Sequence, residues 1–169
     1  MTTPDSPHDA VDETNDESFP ASDPPEWSGV HAGPPAPGGE AAATGLRTIA
    51  SAFPVTDAIA RVERAVTAAG MKVFARIDQA AEARAVGLTM RPAVVLLFGN
   101  PKGGTPLMLA RPTAAIDLPL KALAWEDEQG EPWLTYNTPA LLVQRHGIDA
   151  TLAATLAPVG DLLEKAVRA

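Results

Sequence analysis

Apolar positions along the chain mark out its elements. Between Pro54 and Gly70, Val55, Ile59, Val62 and Val66 recur at helical spacing, with Arg61, Glu63 and Arg64 off that stripe. The pattern predicts an amphipathic helix that Pro54 opens and Gly70 closes. Before it, Leu46 to Ser51 reads as a first, weakly patterned strand. After it, Met71 to Ile77 alternates as a strand should, with Met71, Val73, Ala75 and Ile77 on one face and Lys72, Phe74 and Arg76 on the other. The alanine-rich stretch from Asp78 to Val86 predicts a short helix capped by Asp78 and ended by Gly87. Ala93 to Phe98 is an unbroken apolar run, the pattern of a strand at the centre of a sheet.

The stretch from Val94 to Arg111, VVLLFGNPKGGTPLMLAR, organises the rest. A strand runs into a glycine-rich turn at Gly99–Gly104, and Thr105-Pro106 predicts the cap and first turn of a helix that Pro112 stops. Pro119 to Glu126 and Pro132 to Asn137 follow as strands, and the acidic run Glu126, Asp127, Glu128 and Glu131 between them predicts a solvated hairpin tip. Thr138-Pro139 repeats the cap-then-proline signal, with Gly147 closing that helix. Asp149 caps a final helical region carrying Leu152, Leu156, Val159, Leu162, Leu163 and Val167, which Pro158 must break, kink or restart. Helices alternate with strands early, but the later hairpin is antiparallel. The order therefore favours an α+β two-layer sandwich, a mostly antiparallel sheet with helices on one face, over a doubly wound parallel sheet.

Composition divides the chain in two. Residues 1–45 hold nine acidic side chains, no Lys or Arg, and eight of the seventeen prolines. Such a segment cannot bury enough apolar area to offset its chain entropy, and it reads as a disordered acidic tail ahead of one folded domain at residues 46–169. Within the tail, Phe19 to Trp27 set two aromatics in an acidic, proline-rich context, which suits either a solvated linker or a short motif that docks a protein partner. This segment also resembles an ESFPASDPP stretch found in small bacterial proteins of unassigned role. Residues 46–169 carry twelve acidic and thirteen basic residues, so the net charge of −8 belongs to the tail, and the near-neutral domain argues against a nucleic-acid partner. Cysteine is absent, which excludes disulfides and thiolate metal sites. No apolar run approaches the roughly 20 residues of a membrane helix, and no signal peptide is visible, so a cytoplasmic protein without a membrane partner is expected.

Candidate chemistry is sparse. The turn Gly99–Thr105 has the outline of an anion cradle: the backbone N–H groups of Gly103 and Gly104, the Thr105 hydroxyl, Lys102 and Asn100 could together hold a small anionic ligand. It is not a Walker A loop, because Thr105 stands where the lysine after the second glycine should be. The alternative is a tight strand-to-helix connection whose glycines satisfy backbone angles. His146 is the single histidine of the folded part. It is either a positive charge at a helix C-terminus beside Arg145 or a general acid–base residue. One histidine without cysteine builds no zinc site, so no metal and no cofactor is expected. Trp125 and Trp133 suit core, ligand pocket or dimer interface.

The residues Phe98-Gly99-Asn100-Pro101-Lys102-Gly103-Gly104-Thr105-Pro106-Leu107-Met108, with Ile116 to Leu123, Trp125-Glu126-Asp127 and Gln144-Arg145-His146-Gly147, resemble the bacterial family called domain of unknown function 302 (DUF302). The resemblance runs from about Leu46 to the C-terminus and leaves out the tail. It implies a small α+β domain that forms a homodimer, and no activity. In many relatives a histidine follows the aspartate equivalent to Asp78; here Gln79 stands there, so any proton-transfer or metal role of that histidine is missing from this chain. Three functions remain open: a small-molecule binding module at the turn, a cofactor-independent enzyme using His146, or an interaction protein acting through the tail.

Overall fold

The computed structural model describes residues 45–169; the expected tail motif at Phe19 to Trp27 lies outside the described residues. Five strands form one antiparallel sheet in the order β1-β5-β4-β3-β2: β1 (Leu46–Ala50), β2 (Lys72–Asp78), β3 (Ala93–Gly99), β4 (Leu120–Glu126) and β5 (Pro132–Asn137). The apolar run of β3 sits second from one edge. Its alternate residues Val94, Leu96 and Phe98 are buried.

Helix α1 (Val55–Ala68) crosses this face and buries its predicted stripe of Val55, Ile59, Val62 and Val66. The C-terminal helix α6 (Ala157–Val167) packs beside α1 and adds Leu163 and Val167 to the same core. Pro158 lies in the first turn of α6, where its missing N–H costs nothing, so it restarts the helix and does not kink it. The result is the two-layer α+β sandwich, with α1 and α6 on one face.

The remaining helices gather at one end of the sheet. They are α3 (Pro101–Ala110), a 3-10 turn (Pro112–Ile116), α4 (Pro139–His146) and α5 (Ala150–Ala153). Leu107, Ala114, Leu142, Ile148, Ala153 and Leu156 form a second small core among them, and Leu120 packs against both cores. The short α2 (Gln79–Ala85) starts as expected, with the Asp78 carboxylate accepting from Ala81 N at 2.9 Å.

Two details depart from the sequence pattern. A register shift between Val73 and Ala75 breaks the expected alternation of β2: Val73 pairs with Phe98 on the helix side, whereas Ala75 pairs with Leu97 on the other side. The bulge leaves Phe74 47% exposed at the sheet edge. Gly45, placed by composition at the end of the tail, is buried. Its carbonyl accepts from Thr138 N (2.8 Å) and Thr138 Oγ1 (3.1 Å). With φ of +69° and a Cβ that would fall 2.6 Å from Leu141 Cβ, only glycine fits there without movement.

Tyr136 buries its ring in the main core and donates its hydroxyl to Glu164 Oε1 at 3.0 Å, where Arg47 and Arg168 also pair with Glu164. Burial, and then the Glu164 carboxylate, push the phenol up from its ordinary 10 to about 12. The protonated phenol is the form the fold favours. Its stabilisation is therefore complete below pH 10 and is lost as pH rises towards 12. Denaturant titrations between pH 9 and 12 are expected to show a steeper alkaline loss of stability for wild type than for Tyr136→Phe; parallel curves would contradict this account.

Candidate functional site

The glycine-rich connection folds differently from the sequence expectation. Helix α3 begins at Pro101 rather than at Thr105, and Asn100 is its cap, with Oδ1 accepting from Lys102 N at 2.9 Å. The N–H groups of Gly103 and Gly104 both donate to the Asn100 carbonyl at 2.9 Å. The amides offered as an anion cradle are thus spent inside the first turn, and Thr105 is a mid-helix residue. Pro101 at the first helical position, with Asn100 before it, is the stronger start signal. It outweighs two glycines, which a helix of ten residues packed on a core tolerates.

What α3 does build is a cleft. Its face of Pro101, Gly104, Thr105 and Met108 opposes Leu118, Pro119 and Leu120 at the start of β4, with Phe74 at the sheet edge and Leu156 at the floor. The Leu118–Pro119 peptide in this wall is cis. The space is about 300 Å³, and its lining is almost entirely hydrocarbon. Asn100 and Thr105 carry the polar side chains among its lining residues, and neither Asn100 Nδ2 nor Thr105 Oγ1 has a hydrogen-bond partner among the described residues. A second cleft of about 360 Å³ lies beyond Asn100 and Leu156, lined by Gly103, Met71, Val159 and Leu162 among others. Of the five residues expected to bind ligand, Asn100, Gly104 and Thr105 line the first cleft. Gly103 faces the second, and Lys102 is exposed on the helix between them.

Lys72 was not singled out by sequence. Its ammonium lies 5.0 Å from the centroid of the Phe74 ring, and Phe74 lines the first cleft, although Lys72 itself does not. Phe74 is the extra residue of the β2 bulge and lines the cleft, and no local sequence signal announces that bulge.

His146 belongs elsewhere. Its side chain is 5% exposed, with Nε2 at 2.6 Å from Asp117 Oδ2 and Nδ1 at 3.1 Å from Thr113 Oγ1. Arg145 reaches Asp117 Oδ1 at 3.1 Å, and Lys121 Nζ donates to the Asp117 carbonyl at 3.3 Å. Both ring nitrogens are occupied, and His146 does not line the cleft that holds Thr105. This cluster ties the end of α4 to the residue before Leu118, so it braces a cleft wall.

The acidic hairpin is also a correction. Asp127 is buried at 6% exposure and is not part of a solvated tip. Its carboxylate accepts from Trp133 Nε1 (2.8 Å), Gln129 N (2.9 Å) and Glu131 N (2.9 Å). Burial alone pushes this carboxyl up. The Trp133 indole and the backbone N–H groups of Glu131, Gln129 and Gly130 outweigh burial and hold it below the ordinary 3.8. The stability it supplies is present above pH 3.8 and is lost as pH falls further. Asp127→Asn is expected to flatten the acid limb of a stability–pH curve, and an unchanged limb would refute the assignment.

Among the described residues no helix is long and apolar enough to cross a membrane, and no three His, Asp or Glu side chains are grouped to hold a metal ion. Fold and site together define a small α+β domain with an apolar cleft between a glycine-rich helix and the sheet end. The chain belongs to the DUF302 family, whose model, described as a domain of unknown function, matches residues 47–169. The uncharacterized conserved protein DUF302 from Bacillus stearothermophilus, known from a crystal structure, shares the fold: TM-score 0.63 at 20% identity, over 74% of this chain and 97% of that one. Among curated proteins, the fluoride-specific ion channel FluC 1 of Brucella suis biovar 1 is 41% identical over 127 residues, 73% of this chain and 50% of the channel protein. FluC 1 of Brucella abortus biovar 1 is 41% identical over the same length, 47% of its own. This chain thus spans about half the length of the curated relatives it matches.

Proposed function

We propose that this domain is a binding module that holds a small molecule in the cleft between α3 and the Leu118–Leu120 wall. The observation that carries the reading is the cleft itself, which is concave, lined by hydrocarbon and edged by the polar side chains of Asn100 and Thr105, as ligand sites are. The anionic character expected of the guest now rests on two nearby lysines, Lys72 beside Phe74 and Lys102 on α3, since the backbone amides are spent. A thermal-shift screen of small metabolites tests the reading. A ligand at 100 times its Kd stabilises by about 2.7 kcal/mol. Thr105→Trp, which fills the cleft from an exposed position, should abolish the shift. Hits that survive this substitution, or a screen without hits, would overturn the reading.

The homodimer is proposed through the sheet face opposite α1 and α6. Val95, Leu97, Leu123, Trp125 and Trp133 are partly exposed there and belong to neither core. The two indoles stack with ring centroids 6.4 Å apart. Five strands about 4.8 Å apart and roughly six residues long give a face on the order of 500 Å². Two such faces reach about the 1,000 Å² that a specific interface needs. Trp133 also donates to Asp127, so Leu123→Glu is the cleaner probe, and light scattering should find it monomeric and folded; a monomeric wild type removes the proposal.

A second reading comes from the Brucella relatives. Half of each channel protein matches this chain, and the described residues contain no membrane-spanning helix. We infer that ion conduction resides in the other half and that the domain accompanies such a channel, fused to it or as a separate partner. Co-purification of the tagged chain with a FluC-type channel is expected; failure to recover one from solubilised membranes that contain it counts against the reading.

A further inference from the structure

We propose that the guest of the first cleft is a free amphipathic organic acid, with its hydrocarbon body in the cleft and its carboxylate against Lys72. This deepens the binding-module reading and rests on it. The interior offers nothing to a charge, and an uncompensated ion buried among Met108, Leu118, Leu120 and Leu156 would be strongly disfavoured. An anionic head must therefore stay at the rim.

The rim is made for one. Lys72 holds its ammonium 5.0 Å from the Phe74 ring centroid, and Phe74 forms the cleft edge. Lys102 flanks the same helix face, and neither lysine pairs with a carboxylate among the described residues. The free hydrogens of Asn100 Nδ2 and Thr105 Oγ1 add donors. Among the described residues no Asp or Glu lines the cleft, and the neighbouring Asp117 is turned to His146 and Arg145. The volume of about 300 Å³ sits at the lower end of ligand sites and suits one medium-length chain or one aromatic ring.

Calorimetric titration of the full chain with octanoate, 1-octanol and acetate, each kept below aggregation, tests the inference. Octanoate is expected to bind at least tenfold more tightly than octanol, and acetate not measurably. Lys72→Gln should weaken octanoate about fivefold, the scale of a partly exposed ion pair, and leave octanol unchanged. Lys72 is exposed on an edge strand, so unchanged thermal unfolding of the variant serves as the folding control. If octanol binds as well as octanoate and Lys72→Gln affects neither, the cleft stands as an apolar site and the acid head is wrong. Acetate binding as well as octanoate means the hydrocarbon body is wrong. If none of the three binds, this inference falls; the binding-module reading falls with it only if the thermal-shift screen is also blank.

Discussion

Phe98→Ala is expected to lower the unfolding free energy by about 3–5 kcal/mol, the range for large aromatic truncations in a core. Phe98 is 0% exposed and lies on β3, between β2 and β4. It belongs to the main core that α1 and α6 cover, and it is the last buried residue before the chain leaves the sheet for α3. Removing the ring opens a cavity in a core that also holds Val62, Val66, Leu163 and Val167, and close-packed surroundings relax only partly into it. The cleft begins one residue further on, at Gly99, so the variant should also blunt ligand-induced stabilisation. Urea unfolding at 25 °C reads the first effect. A loss under 1 kcal/mol would mean that the core is not closed around this side chain.

Asp117→Ala is the second large effect, expected at about 2–3 kcal/mol, the upper range for leaving a buried hydrogen-bonding group without its partner. Asp117 is 7% exposed and His146 has a 5% exposed side chain, so the substitution strands a buried ring nitrogen without its acceptor. Arg145 contributes less, because its side chain is 55% exposed and water screens it. Asp117→Asn keeps an oxygen in reach of His146 and should cost distinctly less. A double-mutant cycle with His146→Ala isolates the pair. Equal losses for the alanine and asparagine variants, or no coupling, would show that the contact holds nothing. Leu118 to Leu120 follow directly, so the same variant should weaken binding in the cleft even where the protein stays folded.

Much of the fold was legible in the sequence because local patterns and tertiary packing agree. The stripe of Val55, Ile59, Val62 and Val66 is the buried face of α1, and the apolar run from Ala93 is an inner strand of the sheet. The tryptophan-bearing strands pair as a hairpin. Asp78 and Asp149 cap the helices expected of them. The motif residues around the glycine-rich turn pointed to the family that the whole domain then matched.

What depended on three dimensions was the fate of each polar group and the register of each strand. Two glycines in a row look like free amides until the Asn100 carbonyl takes both. An acidic run looks solvated until one of its members, Asp127, meets the Trp133 indole from across the hairpin. Hydrogen bonds of this kind join residues that sequence spacing does not relate, and the bulge in β2 falls at Phe74, which lines the cleft. Periodicity reports which face of an element is apolar, and it determined the two layers, the helix stripe and the inner strand. It carries no information on which donor finds which acceptor, so the cleft, the Lys72–Phe74 contact and the Asp117–His146 brace were decided by tertiary structure alone.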